Sequence, residues 1–301
     1  MAQKGHIMTF YMTLVASGKS LTVGHIAGVE RFCNQQGIAV IGAPEWLHRH
    51  RAADLPIASC LTHAQMEILW DALKADQIDV FCTPAEGRQK KLLLADMDAT
   101  IVTTETLDEL AVHAGIGEKI AAITTRAMNG EIDFHAALTE RVALLKGLSE
   151  SVLTKTLAET SLTPGADILL STLNKHQVPS VLVSGGFTFF TSAIARRAGF
   201  TAHHGNTLEI ETGALTGRVI PPILDKNAKL NYLKEYAEKN GLSLKDTMAV
   251  GDGANDLPML LAAGLGFGYR PKKLVRESLN NCIFYADLSA ILYAQGYGVA
   301  D

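Results

Sequence analysis

The apolar run Leu92-Leu93-Leu94-Ala95 passes without a break into Asp96-Met97-Asp98. A short apolar stretch bounded by polar residues predicts a buried parallel strand. Strand packing gives no reason for two carboxylates at its tip. Beyond it, strands at 92–97, 178–183 and 247–251 alternate with helical patterns at 187–198, 227–240 and 255–263, with a strand-and-turn segment NTLEIETGALTGRVI between. That alternation predicts an α/β fold built on a doubly wound parallel sheet. Residues from about 104 to 160 read as almost wholly helical. They are too many for a crossover and are expected to form a helical cap inserted after the first strand.

Upstream the pattern differs. Residues 6–16 read as a strand, 21–37 as a helix, 38–47 and 56–60 as extended, 63–76 as a helix, and Ile78-Asp79-Val80-Phe81-Cys82 as extended again. This βαββαβ order is that of small ferredoxin-like α+β modules. With 301 residues, 48% of them hydrophobic, about two domains are expected. The expected division is a small N-terminal domain over 1–85 and a second domain over 86–301, with its core at 91–103 and 161–301. The polar, basic stretch AEGRQKK (85–91) reads as the linker.

A formal net charge of −4 argues against a nucleic-acid or membrane partner held by a basic surface. No apolar run approaches the roughly 18 residues of a membrane helix. Residues 7–17 behind Lys4 imitate a signal peptide, but their threonines and their flow into an amphipathic segment favour a first strand. The four cysteines Cys33, Cys60, Cys82 and Cys282 show no CxxC spacing. Zinc and disulfide frameworks are therefore not expected, and the cytoplasm is the expected compartment.

Ligands of open α/β sheets bind beyond the carboxyl ends of the strands. The first strand delivers Asp96 and Asp98 there. The second ends in Ser184-Gly185-Gly186 before a helix, a hydroxyl and amides suited to an anion. The third ends in GDGAND with Asp252, Asn255 and Asp256, and Lys229 lies near the start of the helix before it. Four clustered carboxylates call for a cation, and hard oxygen donors select Mg²⁺. Such a site suits phosphoryl transfer. One aspartate attacks phosphorus, while the other, two residues on along the strand, serves as acid and then base.

DMDAT, SGG, the lysine of NAK and GDGAND resemble the four motifs of the haloacid dehalogenase (HAD) superfamily. Glu105, the segment MNGEIDF with Met128 and Phe134, Arg141, and SGGFTFF narrow the resemblance to its phosphoserine phosphatase family, across roughly Leu92 to Leu292. The resemblance implies a HAD-like Rossmannoid core and a Mg²⁺-dependent hydrolysis of O-phosphoserine to serine and phosphate, the last step of serine biosynthesis. It implies Asp96 as nucleophile and Asp98 as acid/base, and Mg²⁺ on Asp96, the Asp98 carbonyl and Asp252, with Asp256 in support. It implies Ser184, Gly185, Lys229 and Asn255 around the phosphate. It implies Glu105 on the substrate ammonium, Arg141 on its carboxylate, and Met128 and Phe134 as walls. Ala99 departs from the pattern, standing where the first motif usually has serine.

Other readings compete at several places. Phosphoryl transfer to another alcohol such as homoserine, or a non-catalytic phospho-accepting module, would use part of the same motifs. The N-terminal module reads either as an ACT-like regulatory domain or as a dimerisation unit, which leaves a homodimer open. Arg141 interrupts the apolar face Phe134, Leu138, Leu145 and could be a snorkelling or structurally paired arginine. Thr106 with Glu109 fits a capping box. Ser17-Gly18-Lys19-Ser20 imitates the end of a P-loop, but Thr13 stands where its first glycine belongs, so a turn with a solvated lysine is expected. GDGAND lacks the third glycine of a dinucleotide fingerprint, and Ile101 occupies the glycine position of a calcium loop. His203 and His204 have no ligand spacing.

Overall fold

The computed structural model describes residues 9–128, 131–224 and 227–298. The first part is a four-stranded antiparallel sheet of β1 (Phe10–Ala16), β2 (Glu45–His48), β3 (Ala52–Ile57) and β4 (Ile78–Pro84), in the order β2-β3-β1-β4. Helices α1 (Val23–Gln35) and α2 (His63–Leu73) connect them, each opened by a threonine capping box, at Thr22 and Thr62. The βαββαβ reading holds. The hairpin boundaries shift, because β2 and β3 pair across a turn at 49–51 rather than over 38–47 and 56–60.

Both faces of this sheet are covered. Met12 and Leu14 pack with α1 and α2, whereas Val15, Ala52 and Phe81 join the apolar cluster of the rest of the chain. Phe81 meets Phe267 edge-on, with ring centroids 5.9 Å apart. The buried polar groups on that second face are also satisfied from beyond residue 86. Asp79 accepts from the amides of Phe284, Tyr285 and Ala286, and Thr83 donates to the Ala294 carbonyl. Asp54 is bound by both terminal nitrogens of Arg88, at 2.6 and 2.8 Å.

The stretch 85–91, expected as a linker, is therefore a strap pinned at Arg88 and Lys90, with Glu86, Gly87, Gln89 and Lys91 exposed. Arg88 also donates to the Ala294 carbonyl and to Thr13 Oγ1 and covers the Tyr11 ring, while Lys90 Nζ donates to the Lys245 carbonyl. Arg88 and Lys90 looked like solvated linker residues because their partners are remote in sequence.

The cysteine expectation is corrected too. Cys60, just after β3, and Cys82, on β4, form a disulfide, with Cα atoms 5.9 Å apart, while Cys33 and Cys282 are free and buried. Strand pairing brings two distant thiols together, which spacing alone does not reveal, and the case for a reducing compartment loses its basis. Among the described residues no helix is long and apolar enough to cross a membrane.

The second sheet has seven strands: β5 (Leu92–Ala95), β6 (Ser180–Phe187), β7 (Ala202–Glu211), β8 (Ala214–Ile220), β9 (Thr247–Gly251), β10 (Leu265–Tyr269) and β11 (Cys282–Ile283). Their order is β11-β10-β9-β5-β6-β7-β8, all parallel except the β7–β8 hairpin. The chain steps outward from β5 in one direction through β6 and β7, then returns to β9 on its other side. The carboxyl ends of β5 and β9 thus flank the switch point where such sheets bind ligands.

Between β5 and β6 lie α3 (Thr106–His113), α4 (Gly117–Met128), α5 (Phe134–Ala143) and α6 (Ser151–Glu159), the expected helical insertion, followed by α7 (Ala166–Lys175). Helices α8 (Thr188–Ala198), α9 (Ala228–Lys239), α10 (Leu257–Ala262), α11 (Lys273–Ser278) and α12 (Ala290–Ala294) complete the fold.

Candidate active site

Strand β5 is fully buried and ends one residue before Asp96, whose amide still bonds the Val250 carbonyl of β9. The chain then turns sharply, with Ala99 at φ +52° and its amide on the Thr104 carbonyl. A left-handed alanine is strained, and such strain concentrates at functional turns.

Asp96 is 4% exposed. Its Oδ1 lies 2.6 Å from Lys229 Nζ and accepts from the Met97 amide at 2.7 Å. Lys229, from the first turn of α9, is equally enclosed and lies 2.5 Å from Asp256 Oδ1. The other Asp256 oxygen accepts from the Asp252 and Gly253 amides, which folds the GDGAND turn around it. A side chain at Gly251 would strike that carboxylate, its Cβ falling 2.5 Å from Asp256 Cγ. Oxygens of Asp96, Asp252 and Asp256 converge within 4.8 Å, all buried.

Burial and the neighbouring Asp256 push the Asp96 carboxyl well up, against the pull of Lys229. Burial alone would lower Lys229, but Asp256 and Asp96 outweigh it and hold the ammonium raised. Burial likewise raises Asp252, opposed by Lys272, whose ammonium sits 3.0 Å from Asp252 Oδ2.

Asp98 faces the other way. Its Oδ1 accepts from the amide and the hydroxyl of Thr106 at 2.8 and 2.7 Å, and its Oδ2 from Ser184 Oγ at 2.7 Å. The capping-box expectation for Thr106 is thereby corrected. Its hydroxyl donates to Asp98 instead of capping α3, and Asp98 takes the orphan amide at that helix's start. Ser184 also accepts from the Gly186 amide at 2.8 Å. Ser184-Gly185-Gly186 lies at the end of β6 just ahead of α8, as expected, and Asn206 steadies it by donating to the Gly185 carbonyl.

These groups surround one cavity of about 170 Å³. Asp96, Asp98, Glu105, Phe134, Arg141, Ser184, Gly185, Asp252 and Asn255 all line it, so the structure brings together nearly the whole expected set. Lys229 lies beside Asp96, lining the adjoining recess with Phe134 and Asn255. The side chain of Met128 falls outside the described residues. Phe134, Leu138 and Arg141 present one face of α5 to the cavity, as helical spacing predicted. Arg141 donates to the Ala137 carbonyl and, among the described residues, has no carboxylate within 4.0 Å. A structural ion pair therefore does not account for it. Burial disfavours its charge, opposed by Asp108 and Glu105.

Lys272 was missed in the sequence. It stands on the loop after β10, joins Asp252 and reaches Glu105 Oε1 at 3.4 Å. Its only signal is a Pro-Lys-Lys triplet ahead of α11, which names no chemistry.

A doubly wound sheet with Asp-x-Asp at its switch point, a buried lysine on the first of those aspartates and a helical insertion defines a capped HAD-type hydrolase. The sequence profile of the haloacid dehalogenase-like hydrolases matches residues 93–261, and the chain belongs to that family. It is 43% identical over 203 residues to the phosphoserine phosphatase of Streptococcus thermophilus, covering 67% of this chain and 94% of that protein. It is also 43% identical over 219 residues to the phosphoserine phosphatase of Streptomyces coelicolor, covering 73% of this chain but only 53% of that relative. The chain thus spans about half the length of some of the curated relatives it matches. Its fold superposes on a HAD family hydrolase from Salmonella enterica subsp. enterica serovar Typhi with a TM-score of 0.84 at 27% identity, over 97% of this chain and 99% of that one.

Proposed function

We propose that the chain is a phosphomonoesterase that hydrolyses O-phosphoserine to serine and phosphate through an aspartyl-phosphate on Asp96. The observation that carries this reading is the arrangement of one small cavity, with Asp96 and Asp98 at its floor and Glu105 and Arg141 on its walls. A cavity of about 170 Å³ is well below the roughly 300 Å³ at which drug-sized pockets begin, so the substrate is small. An anionic and a cationic side chain beside a phosphate site match the ammonium and carboxylate of an amino acid. The phosphoserine phosphatase relatives support the same choice.

Asp96 Oδ1 is held by Lys229 and the Met97 amide, so Oδ2 is the attacking atom. It bonds to phosphorus as the serine Oγ–P bond breaks, and Asp98 protonates the departing oxygen. Asp98 then takes a proton from the water that cleaves the aspartyl-phosphate, releasing phosphate and restoring Asp96. Thr106 fixes the position of Asp98 throughout. Ser184, now donating to Asp98, turns its hydroxyl to a phosphoryl oxygen, beside the Gly185 amide.

The residues fit Mg²⁺. Three buried carboxylates face a single buried ammonium, and every donor is a hard oxygen. Asp96, Asp252 and the Asp98 carbonyl would hold the ion, with Asp256 supporting through Lys229. When bound it would shield the phosphoryl charge from the nucleophile.

Phosphate release in the presence of magnesium, across a panel of phosphorylated amino acids and sugars, tests the reading. Phosphoserine is expected to be the best substrate, with water rather than an added alcohol as acceptor. Arg141→Ala should lower kcat/KM for phosphoserine by about ten- to a hundredfold, the worth of one charged hydrogen bond, and affect a small aryl phosphate far less. An equal loss on both substrates would make Arg141 structural and leave the amino-acid specificity without support.

A further inference from the structure

A larger cavity, of about 550 Å³, lies between the four-stranded sheet and the hydrolase core and shares no lining residue with the catalytic cavity. Three cations reach it from three segments. Lys19 stands on the turn after β1, Arg51 on the turn between β2 and β3, and Arg270 just after β10. Asp287 is the one carboxylate in its wall, and it holds Arg51 at 3.0 Å. Lys19 touches Asp76 outside the wall at 3.3 Å but stays 61% exposed. Arg270 has no carboxylate partner among the described residues and bonds the Tyr285 carbonyl. Within the wall itself three cations face one carboxylate, with Asp76 beside Lys19 and the buried Asp79 near Arg270 lying behind it.

Two further observations point to a ligand. Ser17-Gly18-Lys19-Ser20, the P-loop-like motif that the catalytic site leaves unused, forms one rim. Gly18 is left-handed at φ +79°, and the amides of Gly18, Lys19 and Ser20 meet no acceptor among the described residues. Amides exposed on such a turn, beside cations, form an anion-binding concavity. The lining also carries two left-handed non-glycine residues, His50 at φ +64°, whose carbonyl accepts from the Leu21 amide beside this turn, and Arg270 at φ +43°, and strain of this kind collects at ligand sites.

We propose that this cleft binds the phosphate group of a small phosphorylated metabolite and that its occupancy is felt at the catalytic rim. The connection is short. Arg270 is two residues from Lys272, whose amide bonds the Asp252 carbonyl at 2.9 Å and whose ammonium bridges Asp252 and Glu105. A phosphate drawing Arg270 inward pulls on a segment that ends among the catalytic carboxylates. Phosphate is favoured over carboxylate because three cations and a row of amides suit an anion with three equivalent oxygens.

Calorimetric titration of the full chain with inorganic phosphate should find two sites, one catalytic and one in the cleft. Tungstate diffraction should place the second between Lys19, Arg51 and Arg270. Lys19→Glu, on an exposed turn, should weaken the second site at least tenfold, about the worth of one charged contact. Phosphate inhibition should be mixed in the parent chain and purely competitive in the variant. A single site in the parent, an unchanged second site in Lys19→Glu, or malonate bound as tightly as phosphate would overturn the assignment. Purely competitive inhibition in the parent would overturn the coupling. Failure to hydrolyse phosphoserine would remove the proposed function yet leave the titration and the tungstate position to report on the cleft.

Discussion

Asp96→Asn should reduce turnover by on the order of 10⁴-fold or more, the scale on which removal of a covalent nucleophile acts. The substitution keeps the size of the side chain and its place on the Met97 amide, but an amide oxygen does not displace the serine alkoxide. Lys229 keeps its 2.5 Å contact with Asp256, so the buried ammonium is not stranded and the chain should stay folded. The measurement is single-turnover phosphate release, with beryllium fluoride trapping followed by mass analysis. No adduct should form on the variant. Turnover near that of the parent would remove Asp96 from the nucleophile role and return the phosphoryl acceptor to another group.

The second large effect is on stability. Arg88→Ala should destabilise the fold by about 3–5 kcal/mol, because it leaves Asp54 buried without its cation. The pair is enclosed, at 10% and 3% side-chain exposure, and doubly bonded. Among the described residues only Thr13 Oγ1 would remain as a donor to Asp54. The double replacement Arg88→Met with Asp54→Leu should recover much of the loss, since a buried ion pair is often replaceable by apolar packing. Denaturant midpoints of the three proteins measure this. A cost near zero for the single variant would mean that water reaches Asp54 and that the strap is loose.

How much of this was legible in the sequence depended on the range of the signal. Asp96, Asp98, Ser184 and Asp252 were readable because each ends an apolar strand, and strand ends in an alternating fold share one rim. The face of α5 was readable because Phe134, Leu138 and Arg141 follow the helical period. Beyond Leu265 the elements are short: α11 has six residues, α12 five and β11 two. That is too few for a period to show, and Lys272 was lost with them. The Cys60–Cys82 bond, the Arg88–Asp54 pair and the donation of Thr106 to Asp98 depend on tertiary contacts that local pattern does not encode. Thr106 misled most directly, because its spacing to Glu109 satisfied a local rule that a carboxylate eight residues earlier overrides.

The inner face of the first sheet has a consequence for biosynthesis. Thr83 and Arg88 both bond the Ala294 carbonyl, the Lys90 amide donates to Gln295 Oε1, and Asp79 awaits the amides of 284–286. These strands are thus completed by segments that are synthesised roughly 205 residues after them. Until then a sheet with Thr13, Asp54, Asp79 and Phe81 on one side has no cover, and a nascent chain of this length emerges over many seconds. An uncovered antiparallel sheet is also a template for pairing with other chains. The nascent module is the stage at which a chaperone has most to protect.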